Sequence, residues 1–150
     1  MMKRLLITAL ALLITFPVLG MQGGKLDIVG KFVTGPTELD VATYSEGTEK
    51  VALLGISIPA KGSYAARGDE WASLIQLWEK AAQTDSKSWQ FIGTLKETGT
   101  TDPTLVIITA GPGVRFTLET ADGIFTYVVP KDDFPRFEAS VQQVAKFLAN

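Results

Sequence analysis

Two amphipathic helical patterns, each placed after a series of short apolar runs, constrain this chain more than any other feature of its sequence. Trp71, Leu74, Ile75, Trp78 and Ala82 recur at three- and four-residue intervals, which predicts a helix over Asp69–Gln83 with one apolar face. Phe134, Phe137, Val141, Val144 and Leu148 repeat the pattern and predict a second helix over Asp133–Leu148. Pro135 fits there, because the first helical turn has no internal partner for the amide that proline lacks. The Trp-bearing stripe reads as a core seam rather than a ligand platform, since an apolar face of this width is what a helix buries.

The runs before each helix read as strands. The first series is Lys25–Phe32, Glu38–Tyr44 and Lys50–Ile58, separated by Gly35-Pro36 and Ser45-Glu46-Gly47. The second is Trp89–Lys96, Thr104–Thr109, Val114–Glu119 and Ile124–Val129, with Gly111-Pro112-Gly113 and Ala121-Asp122-Gly123 as tight hairpin turns. Aligning Trp71 with Phe137 also aligns Ile75 with Val141, Trp78 with Val144, Lys80 with Lys146 and Ala82 with Leu148. Both helices follow an apolar strand ending in proline, Ile56-Ser57-Ile58-Pro59 and Tyr127-Val128-Val129-Pro130. The expected fold is therefore α+β: a mainly antiparallel sheet with two packed helices, built from two imperfect multistrand-plus-helix repeats over residues 25–83 and 88–150.

Gly55-Ile56-Ser57-Ile58 followed by Glu70-Trp71 resembles, in outline, the strand and Trp-bearing helix of PC4-like domains, and the repeated unit resembles the wider PC4-like and Pur-alpha-like group. That resemblance implies a single-stranded nucleic-acid-binding sheet, which would need a continuous basic face.

Residues 1–20 read as a cleaved export signal. Lys3 and Arg4 form a positive start, Leu5–Leu13 an apolar stretch, and Pro17-Val18-Leu19-Gly20 a break leading to a cut after Gly20. The apolar run is shorter than the roughly 20 residues a bilayer-spanning helix needs. The mature chain, residues 21–150, is then expected to form a single α+β domain with no membrane span, in the periplasm or secreted. Loss of Lys3 and Arg4 moves the formal net charge from −2 to −4. A mildly acidic chain makes nucleic acid an unlikely partner, because such affinity comes from neutralising phosphates. An envelope protein or a small ligand is the expected partner class.

The chain has no histidine and no cysteine, so Ser-His-Asp catalysis, thiolate nucleophiles and His- or Cys-based metal sites are excluded. No cofactor motif is present. The acidic pairs Asp69-Glu70 and Asp132-Asp133 are the residues a carboxylate-dependent hydrolase of a polymer or glycan would use, yet both fall where helices begin and acidic residues stabilise the exposed amides. Gly111-Pro112-Gly113 beside Arg115 lacks the lysine and following helix of a phosphate loop.

The candidate ligand-binding segment is Ala60–Gly68, read as a strand-to-helix connection. It is about five residues longer than its counterpart, from offsets of 71 between Pro59 and Pro130 and 66 between Trp71 and Phe137. Extra length on a rigid scaffold suits recognition. Tyr64 would supply a flat amphipathic contact, with Lys61 and Arg67 for an anionic group. The function expected from the sequence is that of an exported noncatalytic binding or protein-interaction domain.

Overall fold

The computed structural model describes residues 24–57 and 61–150. Residues 1–23, which include the expected export signal, and residues 58–60 lie outside the described residues, as does the side chain of Lys61. The first unit is β1 (Lys25–Thr34), β2 (Thr37–Glu46), β3 (Glu49–Ser57), β4 (Lys61–Ala66) and α1 (Gly68–Ala82). The second is β5 (Gln90–Lys96), β6 (Leu105–Ala110), β7 (Gly113–Thr120), β8 (Gly123–Pro130), a 3-10 turn (Lys131–Asp133) and α2 (Phe134–Ala149). Each set of strands is an antiparallel four-stranded meander in chain order. Gly35 and Gly47, with φ of 58° and 59°, take the left-handed conformation that the two tight hairpins of the first sheet require.

Residues 61–66 are a strand, where the sequence reads as a loop. Lys-Gly-Ser-Tyr-Ala-Ala carries little strand propensity, but β4 pairs with β3 from Ala52↔Ala66 to Ser57↔Lys61. Its small residues answer a packing demand: a Cβ on Gly62 would lie 2.3 Å from the Phe125 ring of the second sheet. Ala65 and Ala66 are likewise fully buried. The extra length lies in the second unit, where the 3-10 turn separates β8 from α2, while only Arg67 separates β4 from α1.

With β4 in place, the units correspond strand by strand. Gly30, Val41, Leu54 and Tyr64 are ladder partners across the first sheet. Gly93, Ile108, Phe116 and Tyr127 occupy the same row in the second. A bulge precedes each glycine, leaving Val29 and Ile92 unmatched in their ladders. This is consistent with a duplicated strand-plus-helix unit.

Each helix packs on the other unit's sheet: α1 lies against β5, β6 and β7, and α2 against β1, β2 and β3. The two glycines make this exchange possible. A Cβ on Gly30 would come within 2.3 Å of Ser140 Oγ in α2, and one on Gly93 within 2.7 Å of Leu77 Cδ2 in α1. Between the sheets the helices bury an aromatic cluster in which Trp78 lies 4.4 Å from Phe137 and 5.1 Å from Phe134, with Phe116 5.2 Å from Phe137. Burial of such rings is the main stabilising term of a core this size.

Candidate interaction face on the second sheet

Strand alternation sends one set of side chains from each sheet to the helices and the other set outward. On the second sheet the inward set, including Val106, Ile108, Val114, Phe116, Tyr127 and Val129, is buried. The outward set forms three ladder rows: Phe91–Thr109–Arg115–Val128, Thr94–Ile107–Thr117–Thr126 and Lys96–Leu105–Glu119–Ile124. Phe91 and Ile124 are 67% and 68% exposed, with Val128 and neighbouring Trp89 at 37% each. These large apolar side chains lie on or beside one face, unlike the singly scattered apolar groups normal on any surface.

Arg115 is fixed within that face. Its guanidinium sits 4.4 Å from the Trp89 ring centroid, and its Nε donates to Thr109 Oγ1 at 3.0 Å. Stacking and the hydrogen bond hold the cation in one place, so a partner pays less entropy to engage it. A separate groove is lined by Asp85, Ser86, Lys87, Pro112 and Lys131, in which Lys131 Nζ pairs with Asp85 Oδ1 at 3.2 Å. The adjacent turn Gly111-Pro112-Gly113 is closed by a Gly111 N–H to Gly113 carbonyl bond at 3.0 Å.

The residues expected from the sequence to bind a ligand lie elsewhere, Lys61 beginning β4 and Arg67 following its other end. Tyr64 is 1% exposed and belongs to the core, so its ring is not available as a surface contact. Burial, with the Glu70, Glu97 and Asp69 carboxylates nearby, holds its phenol well above the usual tyrosine range and keeps it protonated. Arg67 immediately precedes α1 and pairs with Glu49 Oε2 at 3.0 Å. Lys61 pairs with Ser57 at the start of β4.

The acidic pairs hold helix starts. Arg67 occupies the cap position of α1, and Glu70 accepts from its backbone N–H at 3.0 Å and from Thr98 Oγ1 at 2.9 Å. At α2 the capping residue Asp133 makes no side-chain cap bond and instead pairs with Arg136 at 3.6 Å.

Glu97, which no sequence signal marked, is the most constrained carboxylate described. It is 4% exposed and accepts from the Ala65 N–H at 2.8 Å and the Thr104 N–H at 2.9 Å, while Thr104 Oγ1 donates to the Ser63 carbonyl at 2.8 Å. One side chain of the second unit thereby closes the edge of β4 against other strands.

Neither outward face is continuously basic: Lys31 shares the first with Glu38 and Asp40, and Arg115 and Lys96 share the second with Glu119. No described helix is long and apolar enough to cross a membrane. Among the described residues no group of three or more carboxylates is placed to hold a metal ion. Neither a protein-family model nor a curated protein matches the chain.

Proposed function

We propose that this chain is an exported, noncatalytic binding module that holds a protein partner on the outward face of its second sheet. The observation that carries the reading is the row Phe91–Thr109–Arg115–Val128: apolar side chains at both ends, and between them a cation already locked by Trp89 and Thr109. A partner that suits it offers an apolar or aromatic side chain to Phe91 and Val128 and a carboxylate to Arg115; aromatic residues and arginine are types enriched at protein interfaces.

The test is recovery of partners from envelope extract on the purified chain Met21–Asn150, followed by calorimetry with each identified partner. Phe91→Ala and Arg115→Ala should each weaken binding at least tenfold, about 1.4 kcal/mol, with melting nearly unchanged. A partner held equally by both variants removes this face from the function.

A further inference from the structure

The edges of the two sheets are not equally protected. β4 and β8 each lie against the opposite sheet, whereas β1 and β5 have one ladder neighbour and a helix packed on one face. Of the eight described strands, β5 alone has no buried residue, and its Gln90, Phe91, Thr94 and Lys96 are exposed. On its helix side Leu95 is only partly buried, as is Leu77 of α1, which fills the place of the side chain that Gly93 lacks. A strand edge offers a row of amides and carbonyls to another strand unless something blocks it.

The correspondence of the two units shows which edge is blocked. Matching Gly30 with Gly93 sets Asp27 against Gln90 and Lys31 against Thr94. β1 carries Lys25, Asp27 and Lys31, charges of the kind that keep an edge from pairing, while residues 90–95 of β5 are uncharged and only Lys96 at its end carries charge. The bulge before each glycine is common to both strands and does not distinguish them.

The uncharged edge is also complementary to itself. The ladder rows set Phe91, Thr94 and Lys96 in succession on the outward face, with Gly93 and Leu95 toward the helices. An antiparallel copy placed with Thr94 facing Thr94 on a two-fold axis brings Leu95 opposite Gly93, against Leu77, and Lys96 opposite Phe91. Each contact then occurs twice, as a two-fold interface requires. Facing threonines and a lysine beside an aromatic ring are favourable pairs. The same pairing on β1 would set Lys31 directly against Lys31, a repulsive pair.

We infer that β5 is a self-association edge: two copies of the chain join antiparallel along Gln90–Lys96, with Thr94 on the axis, into one continuous eight-stranded sheet. Arg115 and Val128 lie two and three strands in from the joined edge, so the outward face stays open and occurs twice on one surface. The inference goes beyond the proposed function and does not rest on it, because self-association is measured with no other partner present.

The test is sedimentation equilibrium of the purified chain Met21–Asn150, which retains every described residue, over about 1 µM to 1 mM. A reversible monomer–dimer equilibrium is expected. Thr94→Lys gives β5 the charge that β1 carries and should weaken the dimer at least tenfold with melting nearly unchanged. The absence of cysteine allows a second measurement that reads the register directly. Facing residues on paired antiparallel strands lie about 5 Å apart at Cα, within the roughly 4.4–6.8 Å that a disulfide spans. Thr94→Cys should therefore oxidise to a covalent dimer several-fold faster than Lys31→Cys, its counterpart on β1. A chain that stays monomeric to 1 mM, a dimer that Thr94→Lys leaves intact, or equal oxidation of the two cysteine variants overturns the inference.

Discussion

Trp71 of α1 donates its indole Nε1–H to the backbone carbonyl of Val141 of α2 at 3.0 Å inside the core, tying the helix of one unit to the helix of the other. The aligned position in the second helix, Phe137, has no such donor, so this tie is one-directional. Trp71→Phe keeps an aromatic ring but deletes the donor and part of the volume, and should cost about 2 kcal/mol. Denaturant unfolding measures it; a loss within a few tenths of a kcal/mol would show that the helices are held by packing alone.

Gly62 and Phe125 meet where β4 of the first sheet approaches the second, and the glycine has no room for a Cβ. Gly62→Ala should destabilise the fold by about 1–3 kcal/mol through overpacking. The loss should be largely recovered in Gly62→Ala/Phe125→Leu, where a smaller side chain yields the space. Additive losses in the double variant would mean that the contact is not what excludes the methyl group.

The same contact explains which parts of the fold are legible in the sequence. Seven of the strands and both helices announce themselves, because alternating apolar runs and three- and four-residue spacing record directly which face each element buries. Strand β4 does not, because Gly62, Ala65 and Ala66 are chosen for the close approach of two sheets, and small residues look like a loop. Missing β4 pairs β3 with β8 in the repeat alignment through Pro59 and Pro130, which turns a three-residue insertion in the second unit into an apparent insertion in the first. It also places Tyr64 on a loop, when its ladder equivalent is Tyr127, whose hydroxyl lies 3.0 Å from Thr34 Oγ1 between the sheets. The face carrying Phe91, Arg115 and Val128 is equally invisible, since its rows exist only across strands.

Glu97 accepts from two backbone donors, Ala65 N–H on the edge of β4 and Thr104 N–H at the entry to β6. Glu97→Ala should cost about 3 kcal/mol, because hydrogen bonds to a charged acceptor are lost and buried donors are left behind. Glu97→Gln has the same size but turns an amide NH₂ toward one of those donors, so much of the loss should persist. Hydrogen exchange at Ala65 should accelerate in both variants; unaltered exchange would show that β4's edge is closed by other means.

Asp40 stands between Lys31 and Gly55 on the outward face of the first sheet, and burial pushes its carboxyl up to about 7. A hydrogen bond with Glu38 and that residue's negative charge add to the rise, while Lys31, which also pairs with Glu38 at 3.4 Å, opposes it. An acid with a raised folded-state value binds its proton more tightly folded than unfolded, so stability falls as pH rises from about 4 to about 7 and then levels off. Asp40→Asn keeps the shape without the charge. It should flatten that part of the stability profile and melt above the parent at pH 8, with the difference vanishing near pH 4. Carbon-detected titration of the Asp40 carboxyl gives the midpoint directly; a midpoint near 4 would mean the carboxyl is solvated and ionised through the neutral range, and the two melting profiles would then run parallel.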